Sequence, residues 1–149
     1  MASSPKQLQN LVLLVNRLAL GLYFALAGWG KITGGITAFY EKSFVVLKPA
    51  WLPTWFAAPY GHLLPFAEMI LGAMMAIGLM GRLSAGLLAL MLASFTIALA
   101  SAGAFFSGPG PFHANVIFLA LAILLAGLGP GNLSADTIWR RRRRRMTGL

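Results

Sequence analysis

Hydrophobic residues fill four long stretches of this chain, residues 11–32, 62–80, 83–106 and 112–128, and each is nearly free of charge. A helix rises about 1.5 Å per residue, so roughly 20 apolar residues cross a hydrocarbon core about 30 Å thick. The pattern predicts an all-α integral membrane protein, a four-helix bundle whose single membrane domain covers residues 1–139, followed by a basic tail at 140–149. Gly81-Arg82 reads as a tight turn between spans two and three. Residues 107–111 (Ser-Gly-Pro-Gly-Pro) read as a second turn, with Pro111 in the first turn of span four and Pro65 in the same place in span two.

The connection at 33–61 is the long one. Within it Ile36, Phe39, Tyr40, Phe44 and Leu47 recur at helical spacing, with Glu41, Lys42 and Ser43 between them. That predicts a short amphipathic helix lying at the membrane interface. Trp51, Trp55 and Tyr60 follow in the manner of an interfacial aromatic belt. The segment is expected to be a lid over one end of the bundle, or alternatively a docking surface or the roof of a lipid-accessible pocket. Small residues four apart, Gly72 and Ala76, then Ser94, Ala98 and Ala102, then Ala122 and Ala126, are expected to pack helix against helix.

Composition changes the picture little: 58% of residues are hydrophobic and only 10% charged, against about 25% charged in soluble domains. The chain has no cysteine, which excludes disulfides, thiolate metal sites, iron–sulfur clusters and covalent haem c. Asn16-Arg17 interrupts the apolar core that a secretory signal would need, so the first segment is expected to be retained. Charge does fix an orientation. With four spans, Lys6, Arg17, Arg82 and the six arginines of the tail share one side, leaving Lys31, Lys42 and Lys48 on the other, nine against three of the 12 basic residues. Basic residues mark the cytoplasmic side, so both termini are expected there.

A carboxylate inside an apolar run costs roughly 2.5–3.5 kcal/mol on insertion scales and calls for a partner. Glu68 is such a residue, and Lys31, at the outer end of span one, matches its depth. His113 and Asn115 open span four at the same level, and His62 opens span two. A carboxylate, imidazoles and the aromatic residues Tyr23, Trp29 and Trp55 would suit a quinone head group. They would equally serve as a polar cap holding the spans together. Haem ligation by the two histidines is disfavoured, because neither lies mid-span, and no metal site is expected. At the other end Arg17 lies 14 positions from Lys31, about 21 Å along a helix. It is expected to form a structural charge cluster with Asp136 and Arg82, tying the spans at the cytoplasmic face. Arg140, Arg141, Arg142, Arg143, Arg144 and Arg145 follow Trp139 and are expected to set topology and bind anionic lipid at about 1 kcal/mol each. Nothing accompanies the run that would read bases, so no nucleic-acid partner is expected.

Several motifs share an order with one family. Span one reads Arg17-Leu-Ala-Leu-Gly21-Leu-Tyr-Phe24 and then Gly28-Trp-Gly-Lys31. Span two reads Pro65-x-x-Glu68-x-x-x-Gly72 and then Gly78-Leu-Met-Gly-Arg82. After span four comes Gly129-Pro-Gly131-Asn-Leu-Ser134-Ala-Asp136. In these the chain resembles the DoxX family of small four-helix membrane proteins, with Ala135 where that family's closing signature has leucine. The resemblance implies a multi-pass protein of a bacterial inner membrane, linked to quinol oxidation or thiosulfate:quinone oxidoreduction.

Two functions follow as expectations. The first is an accessory subunit that stabilises or assembles a quinone-linked membrane complex, non-catalytic and without its own redox centre. The second is a redox subunit that contacts quinone near Glu68, Lys31 and His113. No cofactor motif is present, so electron transfer would need other subunits carrying the redox centre.

Overall fold

The computed structural model describes residues 4–106 and 113–147, and among these the chain is helical with no strand. Helix α1 (Pro5–Thr33) starts where Ser4 donates its N–H to the Gln7 side chain at 3.1 Å, with Pro5 in the first turn. Leu13, Arg17, Leu20, Phe24 and Gly28 form its buried stripe, while Leu11, Val15, Leu18, Leu22 and Leu26 are exposed on other faces. An apolar stripe on the outside as well as the inside suits a helix surrounded by lipid. The short α2 (Ile36–Phe39) runs through a π turn (Tyr40–Phe44) into α3 (Val45–Leu47), the helix expected from the spacing in the long connection. Then follow α4 (Thr54–Ile77), α5 (Gly81–Ser101), α6 (Asn115–Leu128) and α7 (Ala135–Thr147).

Helices α1, α4 and α5 are long and apolar enough to cross a membrane. Helix α6 is equally apolar but has 14 residues, a rise of about 21 Å. The second span differs most from its expected bounds. It starts at Thr54, not near His62, so Pro59 and Pro65 lie inside the helix and Pro65 is not in its first turn. Proline marks a helix start only when the preceding backbone is already extended, and here that residue is Pro53, at ψ 144°. Internal prolines are tolerated in membrane helices where neighbouring groups satisfy the freed carbonyl. The third span is shorter than expected at its end, closing at Ser101 rather than Phe106. The turn at 107–111, Pro111 included, lies outside the described residues.

Packing is closest between α1 and α4, and next between α5 and α6. A Cβ added to Gly21 would come within 2.5 Å of the Ala76 nitrogen, and one added to Gly72 within 2.4 Å of the Ala25 nitrogen. One turn further on, a Cβ at Gly28 would sit 2.5 Å from the Pro65 carbonyl oxygen. The two backbones therefore touch over three turns, as small residues permit where lipid supplies no hydrophobic drive. Gly72 and Ala76 take the packing role expected of them, and Ala122 is fully buried. Ser94 and Ala98 instead line a cavity, and Ala102 is exposed. Leu20, Phe24, Met75, Leu88, Leu92 and Leu125 form the centre of the core.

The α4–α5 turn is closed by Gly78 in the left-handed region, with Gly78 N–H on the Met75 carbonyl and Leu79 N–H on that of Met74. The turn thus sits at residues 78–80, just ahead of the expected Gly81-Arg82.

The close approach makes a contrast that mutation can read. Gly72→Ala should cost about 2 kcal/mol or more by forcing two backbones apart. Gly86→Ala, with open space around its Cβ position, should be neutral or stabilising by up to about 1 kcal/mol through helix propensity. Thermal unfolding of both variants in mild detergent checks this; equal tolerance would disprove backbone contact.

Candidate functional site

The glycine contact positions the first polar pair. Gly28 and Lys31 lie three residues apart on one face of α1, and Pro65, Glu68 and Gly72 share one face of α4. Docking Gly28 against Pro65 therefore brings Lys31 onto Glu68. Lys31 Nζ donates to Glu68 Oε1 at 2.6 Å and also contacts Oε2. Glu68 is 1% exposed and Lys31 28% at its side chain. The ammonium also lies over the Phe39 ring, 4.9 Å from its centre. Lys31 is thus held from one side by a buried carboxylate and covered by the Phe39 ring of α2.

In front of Lys31 lies a cavity of about 650 Å³, in the range of small-molecule sites. Phe39, Phe44 and Leu47 of the α2–α3 segment roof it, α4 and α5 form its walls, and His113 and Asn115 reach its edge. A Cβ at Gly61 would meet the Tyr40 and Phe44 rings at 2.7 Å, so the missing side chain is what lets these rings lie against α4. Tyr60 and Ser94 cross the cavity wall, their hydroxyls 2.6 Å apart, and Ser94 Oγ donates to the Met91 carbonyl. Lys48 also lines it and donates to the Leu52 carbonyl at 2.8 Å. Tyr60, Ser94 and Lys48 were not singled out from the sequence as site residues. No sequence spacing links Lys48 to hydroxyls on two different helices, and by spacing alone Tyr60 belongs to the aromatic belt and Ser94 to helix packing.

The expected outer cluster is partly assembled. Lys31, His113 and Asn115 border one cavity, and Asn115 N–H points at His113 Nδ1 at 3.3 Å. Glu68 touches Lys31 but does not line the cavity. His62 stands apart: its Nδ1 is 2.8 Å from the Ala58 carbonyl and its ring packs against Tyr40 at 4.3 Å. No group of three metal-ligating side chains occurs among the described residues.

At the far end Arg17 is 2% exposed. Its guanidinium donates to the carbonyls of Ala76, Pro130 and Leu133 at 3.2, 2.7 and 2.8 Å. Asp136 accepts from the Met80 and Gly81 amides at 2.8 and 2.9 Å, capping the start of α5. Among the described residues Met80 is the non-glycine residue at positive φ, and the Asp136 cap bonds its amide. Arg82 lies against Gly129. The three charges lie at one corner, but no Arg17–Asp136 ion pair forms within 4 Å among the described residues. Each is instead used on backbone that irregular turns leave unpaired.

On α7 the Arg140, Arg142 and Arg143 side chains are exposed, and Arg143 lies 6.0 Å from the Trp139 ring centre. Those of Arg141, Arg144 and Arg145 fall outside the described residues.

The Lys31–Glu68 pair generates a double-mutant test. Glu68→Gln alone should cost about 3 kcal/mol, since it removes one partner of a buried ion pair. Lys31→Met should cost clearly less in the Glu68→Gln background than in the wild type. Unfolding in detergent measures the cycle, and additive losses would mean that the two do not interact.

A scan against protein-family models matches DoxX over residues 12–102, a range that includes Arg17, Lys31, Glu68 and Arg82 and ends before His113 and Asp136. Comparison with curated proteins and with solved structures returns no match in either. With most of its length covered by that one model, and with three helices suited to crossing a bilayer, the chain is an integral membrane protein belonging to the DoxX family.

Proposed function

We propose that this protein is a non-catalytic accessory subunit of a quinone-linked complex in a bacterial inner membrane. In this reading α6 is a fourth span, the α2–α3 segment is an interfacial lid on the outer surface, and both termini are cytoplasmic. The observation that carries the subunit reading is how the buried polar groups are used. Glu68 is engaged by Lys31, Arg17 by three carbonyls and Asp136 by two amides. Among the described residues no buried side-chain polar atom lacks a partner. Such groups act as struts, and a satisfied network gives a rigid body for other subunits to assemble on. The redox centre then belongs to those subunits.

The cavity favours a second reading, in which Lys31 and His113 hydrogen-bond a quinone head group directly. Both readings share the membrane orientation, supported by the nine-to-three distribution of basic residues.

Ser43→Cys and Thr147→Cys, probed in intact cells with an impermeant thiol reagent, should label at 43 and not at 147. The opposite pattern would reverse the topology. Purification in mild detergent followed by mass measurement should recover further membrane subunits. A lone chain would count against the accessory role.

A further inference from the structure

The cavity is lined mostly by apolar residues, and the fixed charge that lines it is of one sign. Lys31 and Lys48 line it, and none of the chain's three carboxylates does. Glu41 is exposed outside the cavity lining, Asp136 caps α5 at the opposite end of the bundle, and Glu68 is buried behind Lys31. Glu68 therefore balances Lys31, while no carboxylate among the described residues lies within ion-pair range of Lys48. Residues 107–112 add no charge. Lys48 uses one of its three ammonium hydrogens on the Leu52 carbonyl, which leaves two for an outside acceptor.

The body of the cavity is built for a chain. Its α5 wall runs from Leu87 to Leu99, about 18 Å along the helix, and Leu64 and Leu71 face it from α4. Three of its lining residues, Leu63, Leu90 and Ile97, are 63%, 70% and 54% exposed. The body is thus open sideways, between α4 and α5, where bilayer hydrocarbon would lie.

We infer that this cavity binds a single-chain lipid with an acidic head group, in its simplest form a long-chain carboxylate. The head group meets Lys48 and Lys31 beneath the lid, and the chain lies in the slot between α4 and α5. Entry is lateral, from the leaflet. A neutral head group would leave Lys48 uncompensated at a half-buried mouth, whereas a carboxylate gains charge-assisted hydrogen bonds there. The inference is independent of any partner subunit and is tested on the chain alone.

The full-length protein in nanodiscs of neutral phosphatidylcholine is titrated with dodecanoate, its methyl ester and a short-chain quinone, and affinity is read from thermal unfolding. Dodecanoate should raise the melting temperature, with the methyl ester binding about tenfold more weakly, the ratio that one charge-assisted hydrogen bond implies. Lys48→Gln, referenced to its own ligand-free melting, should bring the two affinities together, and Lys48→Arg should keep them apart. Ala98→Phe, or Ala67→Phe should the first not fold, should fill the slot and abolish both. Equal affinity for acid and ester in the wild type, stronger binding of quinone than of dodecanoate, or no shift with any of the three would overturn the inference. The quinone result would support the direct-contact reading instead.

Discussion

Helices α1 and α4 meet backbone to backbone at Gly21, Gly28 and Gly72, and the rest of the bundle is arranged around that contact. In water two helices are pressed together by the apolar surface that they hide, but lipid is as apolar as leucine, so the drive must come from close packing. Glycines supply it here by removing the atoms that would hold the axes apart. The contact fixes register as well as distance. Once Gly28 sits on Pro65, Lys31 reaches Glu68 and Arg17 reaches the Ala76 carbonyl, so both polar ends of the molecule follow from one seam. It also leaves α4 turned toward α1, with its other side parted from α5 near the lid, and that parting is the cavity.

The two buried charges answer different needs. Glu68 lies in an apolar run and is met there by the Lys31 ammonium, so its burial is offset by an opposite charge. Arg17 faces no carboxylate within ion-pair range among the described residues. Its planar fork of donors instead joins three carbonyls that no helix pairs across the chain, from the end of α4 and from the segment after α6. Lysine, with a single point charge, would not span them.

Much of the fold was legible because membrane helices announce themselves by length and composition. The Lys31–Glu68 pair was legible too, since each residue is stranded in an apolar stretch and the two share a depth. The start of α4 was not, because Pro59 and Pro65 look like boundaries in one dimension and only the extended backbone at Pro53 shows which proline is the boundary. The sequence suggests Asp136 as the counter-ion of Arg17, because opposite charges at one end of a bundle favour a pair. Its use as a cap for α5 depends on the left-handed turn at Met80, which no sequence rule assigns to a methionine. The cavity was the least legible element. Its lysine, phenol and hydroxyl come from the segment after α3, from α4 and from α5, and only the packing of these three against one another makes them face the same space.

The length of α6 explains why so much polar bonding collects around Arg17. Fourteen residues rise about 21 Å, well short of a hydrocarbon core of about 30 Å. Its chain therefore leaves the helix at Gly129 while α1 still runs on beside it, with Leu8, Leu11 and Val12 exposed on the α1 surface. Irregular backbone at that depth survives only where protein groups satisfy it. Arg17 does so for the Pro130 and Leu133 carbonyls, and Asn10 does so for the Asn132 amide, at 3.0 Å. Gly131 lies against Leu13, and Ser134, 1% exposed, bonds back to the Gly131 carbonyl. Where the short α6 ends, a buried arginine one helix away thus takes up the carbonyls that follow it. The same clasp then sets where α7 begins, since the Asp136 amide donates to the Gly78 carbonyl and its carboxylate caps α5. The arginine-rich helix is in this way bonded to the bundle at its first turn.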